Sequence, residues 1–506
     1  MLPALFVLLF TLLIGLILFY NFYYKRRNLP PGPPPLPLIG NLHSFQRTMP
    51  EQRFLQWRHE YGDVFTFWMG ETPVVCVVDY AKIMANFQKD GDAFAARHVP
   101  IEYETAIKGG VYGVIFTDGE LWREQRRFTL HVLRDFGLSK DLMQERIIQE
   151  LQPMFERMNE QIELGSEQNM GELLDVAVGS IINNLLFGYR FENDLGEFKE
   201  IKELLREQIQ VSLHPLTAIF HLNPHFFGRL PFLSAVFDRI CKVHRDFAAF
   251  FHRQISQHIK VINDQDWDTP STDFVEAFLK EKAKRDASGE QHNFTMEQLN
   301  GIWIDLWAAG QETTSTTIAW GIAYLIHHPQ IQTKMREELR RIDANSTRVV
   351  TVSDRSELPY TNAVICEIQR VANLVAFNLL RRLTRDVTID GYLLKSGTAV
   401  CPQISAVLMD DKIFDEPTEF RPERFLDEEG KLKRVNELIP FSIGKRQCLG
   451  ESLARMELFI FVANLFKQYE FLSGAKMPSL QRKMGAAIQC PQFTCRIVRK
   501  SESVNK

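Results

Sequence analysis

Apolar side chains recur at intervals of three and four residues over most of the chain, which is typical of amphipathic helices. The longest helical pattern opens with a predicted capping box formed by Thr295 and Gln298. We predict helices at 51–61, 119–134, 139–160, 197–213, 234–260, 272–284, 296–328, 359–373 and 449–468. Four short runs favour strands instead, at 64–68, 74–78, 387–389 and 399–402. The pattern predicts a mainly α fold with a smaller β region.

The first 24 residues carry no charged side chain, and residues 2–20 are almost entirely apolar. This length is close to the roughly 20 residues that a membrane-spanning helix needs. Lys25, Arg26 and Arg27 follow directly, after aromatic residues typical of a membrane interface. A cleaved signal peptide, the alternative, has its positive charge before the apolar run. We predict an uncleaved transmembrane anchor with the basic cluster on the cytosolic side.

Prolines dominate the next stretch, which reads PPGPPPLP at 30–37. Proline fixes φ and lacks an N–H donor, so this stretch favours an extended spacer over helix or sheet. A ligand for a proline-binding domain is the alternative. No composition shift or repeat follows. We therefore divide the chain into an anchor at 1–24, a basic and proline-rich linker at 25–42, and one catalytic domain at 43–506.

Composition narrows the possible functions. The 506 residues are 45% hydrophobic and include 38 phenylalanines, which suits a large apolar interior. A net charge of −4 gives no indication of a nucleic-acid partner. The seven cysteines are scattered and lack C-x-x-C spacing, which argues against a disulfide framework and a zinc site. No G-x-G-x-x-G or P-loop pattern is present, so the sequence shows no flavin or nicotinamide site of its own.

The most informative stretch reads FSIGKRQCLG, at 441–450. A lone cysteine thiolate can ligate iron, and nearby glycines let the backbone approach a flat macrocycle. A helical pattern starts immediately afterwards, so its positive end would face the thiolate. The alternative is a buried free thiol. The stretch fits the pattern F-x-x-G-x-R-x-C-x-G through Phe441, Gly444, Arg446, Cys448 and Gly450.

That pattern resembles the cysteine loop of the cytochrome P-450 haem-thiolate monooxygenases, most of all the microsomal family-2 group. The resemblance implies the cytochrome P-450 fold after one N-terminal transmembrane helix, and haem b with its iron ligated by Cys448. It implies electrons from NADPH through a flavoprotein reductase, with cytochrome b5 as a further candidate partner. The implied location is the endoplasmic reticulum membrane, with the catalytic domain facing the cytosol.

An acid and several hydroxyl groups interrupt the apolar pattern of the long helix at 309–314, which reads AGQETT. Its glycine weakens the helix, and threonine hydroxyls bond back to the preceding turn, so we expect a local opening. The stretch resembles the family motif A-G-x-[DE]-T. This gives Glu312 and Thr313 the catalytic role of relaying protons to dioxygen, and lays Ala309 over the haem. The alternative is a solvated stripe with an ordinary helical threonine.

Two further patterns resemble family motifs. Glu367 and Arg370 share one helix face, and with Arg424 they resemble a buried structural ion network behind the haem. Trp122 and Arg126, one helical turn apart, resemble a pair that binds a haem propionate. Arg97 and Arg446 are further propionate partners by resemblance, and Arg381 is another candidate. An exposed basic helix is the alternative for Arg123 and Arg127, which could face the electron donor.

By resemblance, the substrate pocket includes Ile115, Phe116, Leu374, Val375 and Ile488. The apolar stretch 216–237 is either the substrate entrance with a second membrane contact or simple core packing. The implied reaction is NADPH- and dioxygen-dependent hydroxylation or epoxidation of a lipophilic small molecule. A fatty acid, a steroid and a xenobiotic fit equally. The alternatives are a haem-thiolate isomerase or dehydratase acting on a lipid hydroperoxide, and a non-catalytic gas-binding haem protein.

Overall fold

The computed structural model describes residues 2–136, 141–191, 195–263, 269–342, 348–485 and 487–499. The chain folds into two compact units, each assembled from separate segments. Unit 1 contains Met1–His98, Val375–Pro417 and Ile439–Gln447. Unit 2 contains Val99–Leu374, Thr418–Leu438 and Cys448–Lys506. The predicted division into anchor, linker and one catalytic domain stays a prediction.

Helices dominate the described residues. The α-helices are α1 Leu2–Phe22, α2 Pro50–Tyr61, α3 Tyr80–Ile83, α4 Ile101–Lys108, α5 Gly119–Asp135, α6 Asp141–Glu163, α7 Met170–Phe187, α8 Gly196–Ser212, α9 Thr217–Phe220, α10 Pro224–Phe227, α11 Ser234–Asn263, α12 Phe274–Ser288, α13 Met296–His327, α14 Pro329–Ile342, α15 Pro359–Ala372, α16 Ile404–Val407 and α17 Glu451–Gln468. The 3₁₀ helices are Tyr24–Arg26, Leu42–Phe45, Val352–Glu357, Pro422–Phe425 and Gly444–Arg446, and a π-helix spans Met84–Lys89.

The strands are short and few by comparison. They are β1 Val64–Met69, β2 Thr72–Val77, β3 Ala96–Arg97, β4 Arg381–Arg382, β5 Val387–Ile389, β6 Tyr392–Leu394, β7 Ala399–Pro402, β8 Tyr469–Ser473 and β9 Cys495–Arg499. The mainly α fold class with a smaller β region is therefore confirmed.

Unit 1 is built on a five-stranded sheet of order β1-β2-β7-β4-β3, in which β2 and β7 are parallel. The pair β5–β6 forms a separate two-stranded sheet. Phe65 and Phe67 of β1 pack against Phe54 of α2 in an aromatic core. The antiparallel pairing of β3 with β4 places Arg97 opposite Arg381. The sheet thus brings together two arginines that lie far apart in the sequence.

Unit 2 is helical apart from the antiparallel pair β8–β9. The long helix α13 packs against α7, α15 and α17. Trp303, Trp307 and Trp320 are fully buried along it. Because α13 is buried over most of its length, the few polar side chains on it need partners inside the unit.

The predicted anchor forms the continuous helix α1, whose side chains from Leu5 to Tyr20 are exposed. Two described helices, Leu5–Arg26 and Met170–Phe187, are long and apolar enough to cross a membrane. The second is two-thirds buried inside unit 2, where it belongs to the core. The N-terminal helix is therefore the candidate membrane anchor.

The proline-rich stretch has irregular backbone, as predicted, but it is bonded to the sheet of unit 1. Thr66 N–H donates to the Pro31 carbonyl at 2.9 Å. A Cβ added at Gly32 would lie 1.9 Å from the Thr66 carbonyl oxygen, so only glycine fits there. Lys25 pairs with Glu71 at 2.8 Å. The role of this stretch as a spacer stays a prediction.

All nine predicted long helices and all four predicted strands are present, with small shifts at their ends. Residues 139 and 140 of one predicted helix lie outside the described residues. Three described helices of eight or more residues, α4, α7 and α14, were not predicted, and neither were the four-residue helices α3, α9, α10 and α16. The capping box is half wrong: the Thr295 hydroxyl accepts from Gln298 N–H, but the Gln298 side chain bonds to Gly113 instead. The expected opening at 309–314 is also wrong, since α13 is helical throughout.

Candidate active site

Cys448 lies in unit 2, three residues before α17 begins at Glu451. All seven cysteines are among the described residues, and Cys448 is the one whose side chain is exposed. Desolvation by burial and the negative charge of Glu451 raise the pKa of its thiol, while the Gly450 N–H and the positive charge of Arg126 act to lower it. The residue is therefore exposed to a ligand, and its thiol has a raised pKa although two neighbouring groups favour the thiolate.

The glycines of the cysteine loop have different reasons to be glycine. Gly444 has φ of 72°, and an added Cβ would lie 2.0 Å from the Phe87 carbonyl oxygen. Gly444 therefore packs closely against the π-helix within unit 1, and its predicted approach to a macrocycle stays a prediction. Gly450 differs, because an added Cβ would meet no atom within 4 Å. Phe441 is half-buried in unit 1.

Three predicted propionate-binding arginines are buried in unit 1. Arg381 donates to the Ser442 hydroxyl at 3.1 Å and to the Ile443 carbonyl at 2.9 Å. Arg97 donates to the Leu379 carbonyl, and Arg446 donates to the Ala95 carbonyl. The acceptors in these four hydrogen bonds are neutral oxygens.

The electrostatics of Arg381 indicate an anionic ligand. Desolvation and the positive charge of Arg97 lower the pKa of Arg381 to about 9. Its Nη1 is buried without a hydrogen-bond partner, and no ion pair is found for Arg381 among the described residues. A buried guanidinium in this state would be stabilised by a carboxylate, the group that haem propionates carry. The residues therefore fit haem.

The helix α5 in unit 2 carries Trp122 and Arg126 as predicted. Trp122 is buried, and the Arg126 guanidinium lies 5.8 Å from its ring centroid. Desolvation lowers the pKa of Arg126, and the charge of Cys448 acts to raise it. Arg123 and Arg127 are exposed, as the alternative interpretation of this helix expected. Trp122 and Arg126 thus form a cation–π pair in the same unit as Cys448.

The acid and the alcohol predicted on α13 have separate partners. Thr313 Oγ1 donates to the Ala309 carbonyl at 2.6 Å, and Ala309 itself is exposed. Glu312 Oε1 lies 2.5 Å from Lys202 Nζ, and Lys202 also pairs with Asp175 at 3.0 Å. Sequence reasoning missed Lys202, which contacts Glu312 in the fold but precedes it by 110 residues in the sequence. The structure therefore shows Glu312 as part of an ion network.

The predicted ion network of unit 2 is present and complete. Arg370 Nε and Nη2 donate to the two oxygens of Glu367 at 2.7 and 2.8 Å, in a bidentate pair. Arg424 Nε donates to Glu367 at 3.2 Å, and the Arg421 N–H does so at 2.9 Å. Both arginine side chains also donate to the Glu419 carbonyl at 3.2 Å. Glu367 therefore accepts from three different residues.

The predicted pocket residues fall in both units. Ile115 is half-buried and Phe116 is 38% exposed, both in the segment before α5. Leu374 and Ile488 are joined in unit 2, where Ile488 N–H donates to the Leu374 carbonyl at 2.7 Å. Val375 is exposed in unit 1. Unit 2 thus contains four of the five predicted pocket residues.

The apolar stretch 216–237 is divided between the two interpretations. Phe220 is fully buried in the core of unit 2. Phe232 is 93% exposed, and Phe226 and Leu222 are also exposed. Part of the stretch therefore packs inside unit 2 and part presents apolar side chains outward.

Comparison with known proteins agrees with this geometry. The cytochrome P450 family model matches residues 30–495. Cytochrome P450 2J1 of Oryctolagus cuniculus is 35% identical over 467 residues, covering 91% of this chain and 90% of that protein. Cytochrome P450 2M1 of Oncorhynchus mykiss is 34% identical over 475 residues, 92% of each chain. Cytochrome P450 2B2 of Rattus norvegicus is 34% identical over 471 residues, 92% of this chain and 93% of that protein.

These matches cover nearly the whole chain at more than 30% identity, and the similar proteins carry family-2 designations. Membership implies a cysteine-ligated haem b and electrons that originate from NADPH and arrive through a reductase. The exposed cysteine and the buried arginines are residues suited to such a group. The chain belongs to the cytochrome P450 family and is a haem-thiolate monooxygenase of the family-2 type.

Proposed function

We propose that this chain inserts one atom of dioxygen into a lipophilic small molecule, using haem b whose iron is ligated by Cys448. The observation that carries the proposal is the exposed sulfur beside the N-terminal end of α17, close to the Gly450 N–H and Arg126. A helix N-terminus and a nearby cation both favour a thiolate. When bound, the haem supplies dioxygen activation, which a thiolate ligand favours by donating electron density.

The chain's own residues bind and orient the cofactor. Trp122 and Arg126 in unit 2 would hold a propionate, and so would the buried arginines of unit 1. In unit 1 these arginines are Arg97, Arg446 and Arg381. An anion would stabilise the charge of Arg381, whose pKa is lowered to about 9. Phe441, Gly444 and Gly450 shape the loop that carries the cysteine. Ala309 presents a small, exposed surface on α13, which suits close contact with a flat ring.

Glu312 and Thr313 hold and move protons on α13. The Thr313 hydroxyl donates a hydrogen bond to the Ala309 carbonyl, one turn earlier. It can transfer its proton when a better acceptor is bound. Glu312 is held by Lys202 in the resting arrangement and would have to leave it to recharge the hydroxyl. Such a relay typically contributes about 10²–10⁴-fold in rate.

Glu367, Arg370 and Arg424 have a structural role in this proposal. Their hydrogen bonds are directed at one another and at the backbone of residues 419 and 421, which precede the cysteine loop in the chain. They therefore fix the segment 418–438 within unit 2 and take no part in the chemistry.

The substrate is a fatty acid, a steroid or a xenobiotic that contacts Ile115, Phe116, Leu374, Val375 and Ile488. Electrons come from NADPH through a membrane-bound flavoprotein reductase, with cytochrome b5 as a further candidate donor. The supporting observation is the exposed apolar helix α1, which is suited to share the membrane of such a partner.

The anchor places the protein in the endoplasmic reticulum membrane with its catalytic part in the cytosol. Lys25, Arg26 and Arg27 follow the apolar helix directly, and positive charge favours the cytosolic side. Protease added to sealed microsomes should therefore digest the catalytic part. A catalytic part that resists digestion until the membrane is opened would reverse this orientation.

Replacing Thr313 by alanine tests the reaction. With reductase and NADPH, the Thr313→Ala variant should keep haem and substrate binding, consume NADPH and release peroxide at the expense of product. The measurement is the ratio of oxygenated product to NADPH consumed, compared with wild type and with a Thr317→Ala control, whose hydroxyl also bonds one turn back. Fast conversion of a hydroperoxide without NADPH, insensitive to Thr313→Ala, would favour the isomerase instead.

A further inference from the structure

The segment 375–380, between α15 and β4, forms a turn without glycine or proline, since it reads VAFNLL. Asn378 N–H donates to the Val375 carbonyl at 3.2 Å and closes the turn. Asn378 itself has φ of 55°, a left-handed conformation that asparagine adopts more readily than most residues. Apart from this asparagine, the segment contains none of the residues that favour turns. The conformation of the turn therefore depends on side chains from elsewhere in unit 1.

Two fully buried side chains hold the turn from its inner side. Ser405 Oγ donates to the Ala376 carbonyl at 2.6 Å. Gln403 Nε2 donates to the Phe377 carbonyl at 3.4 Å, and Gln403 Oε1 accepts from Asn378 Nδ2 at 3.1 Å. Both Gln403 and Ser405 are 0% exposed. Three consecutive residues of the turn are therefore bonded to side chains of one short segment.

The residues that hold the turn are themselves fixed by regular structure. Gln403 joins the end of β7 at Pro402 to the start of α16 at Ile404. Its N–H donates to the Val77 carbonyl of β2 at 2.9 Å, and its carbonyl accepts from N–H groups of α16. Ser405 lies within that helix. The sheet of unit 1 and α16 thus form a support from which the turn takes its position.

The contact is costly to break because its polar groups are removed from water. Ala376 is buried, so its carbonyl would lose a partner inside the core if the Ser405 hydroxyl moved away. The Gln403 amide has a donor end and an acceptor end, and both need partners in the core. A shift of the turn would therefore break several bonds at once, which keeps the turn in one position.

The two ends of the turn link it to the active site. Val375 begins the turn and is 38% exposed, although the next residue, Ala376, is buried. At the other end, the Leu379 carbonyl accepts from Arg97 Nη1 at 3.1 Å. The turn thus connects a candidate for substrate contact with a candidate for haem binding, both in unit 1.

We propose that Gln403 and Ser405 are specificity-determining positioning residues, which hold the turn and so fix the place of Val375 at the substrate. This inference rests on the proposed function for the assignment of Val375 to the substrate pocket. Because both residues are fully buried, they act through Val375 and not by contact with the substrate. A turn in a fixed position favours substrates whose outline fits Val375 and disfavours bulkier ones.

Gln403→Met is the direct test, because methionine keeps the length of the side chain and removes both ends of the amide. Asn464→Leu is the matched control. Asn464 is also a fully buried amide, and it bonds the Val350 carbonyl at 2.9 Å and the Val350 N–H at 2.8 Å, beside no pocket candidate in sequence. Both variants should unfold at lower urea concentrations than wild type, since each leaves backbone groups without partners.

The deciding measurement compares two imidazole probes, one carrying a single phenyl ring and one carrying two. Their spectral dissociation constants are measured in the full-length haem-loaded protein, and the ratio of the constants gives the probe preference. In Gln403→Met the preference should move by about 10-fold toward the larger probe, because a turn without its support yields to bulk. Asn464→Leu should keep the preference of wild type, although it also loses stability.

Val375→Ala shows whether Gln403 acts through Val375. In wild type this change should move the probe preference by about 10-fold, because it removes apolar contact area. In Gln403→Met it should add less than about 3-fold, since Val375 has already lost its fixed place. In Asn464→Leu the full effect should remain. An unaltered preference in Gln403→Met, or additive effects of Gln403→Met and Val375→Ala, would overturn the inference.

If Gln403→Met does not load haem, Ser405→Ala takes its place, because it removes the bond to Ala376 without adding bulk. Probe binding needs neither electrons nor proton delivery by Thr313, so it separates this inference from the proposed reaction. A coupled change of preference in a protein that never forms oxygenated product would leave the role of Gln403 intact and contradict the proposed oxygenation. Normal product formation with an unaltered preference would do the opposite.

Discussion

Two buried arginines, one in each unit, have opposite electrostatic surroundings. Arg370 in unit 2 is 0% exposed and forms a bidentate pair with Glu367. Arg381 in unit 1 is 1% exposed, but the like charge of Arg97 lowers its pKa, and its hydrogen-bond acceptors are a hydroxyl and a carbonyl. Both side chains are almost completely removed from water, but only Arg370 has a counter-ion among the residues that the structure describes.

The difference indicates what each arginine is for. Burying an unpaired charge is strongly unfavourable, so a protein retains one only where something else neutralises it. The charge of Arg370 is fully paired within unit 2, so the role of its network is to stabilise that unit. A carboxylate from outside the chain, such as a haem propionate, would complete the surroundings of Arg381. Electrostatic incompleteness therefore points to the cofactor site, and completeness points to structure.

The largest effect should come from breaking the complete network. Glu367→Gln leaves Arg370 and Arg424 without their shared counter-ion, so the free energy of unfolding should fall by about 3–5 kcal/mol. Urea unfolding of the variant and wild type measures this change. Glu120→Gln is the control, because its pair with Arg123 is exposed and contributes about 0–1 kcal/mol. Equal losses in the two variants would contradict the structural role of the network.

A different and smaller effect should follow from Arg381→Leu, because this change removes a buried charge that lacks a partner in the chain. The free energy of unfolding of the haem-free protein should change by less than about 1 kcal/mol or rise. The haem-loaded protein should lose haem about 10-fold faster to a scavenging apoprotein, as expected for a lost charged hydrogen bond of about 1.5 kcal/mol. An unchanged rate of haem loss, with a large loss of stability without haem, would remove the distinction between the two arginines.

The sequence predicted the two arginines with different success. Glu367 and Arg370 lie three residues apart on one helix, so their pairing follows from helical periodicity. Arg97 and Arg381 meet across β3 and β4, strands of two residues each that carry no periodic signal of their own. Pairing of such short strands depends on the whole sheet, so a resemblance could suggest Arg381 but local pattern could not place it.

Other features that the sequence did not predict also have physical reasons. The helix α7 was not predicted because it is apolar on nearly all sides and lacks the polar face that reveals an amphipathic helix. Lys202 is 110 residues from its partner Glu312, and nothing in the local sequence signals that pair. Gln298 has the spacing of a capping box, yet the Gly113 backbone is the partner its side chain takes. Local rules predicted elements, and contacts between distant segments decided what the side chains do.

The central claim is that Cys448 ligates the haem iron, and the spectrum of the reduced protein with carbon monoxide tests it most directly. Wild type should show the strongly red-shifted Soret band of thiolate ligation. Cys490→Ala, which alters a half-buried cysteine of the same unit, should keep that band. Cys448→Ala should lose it entirely, even where haem is still bound. Retention of the band in Cys448→Ala would contradict the account.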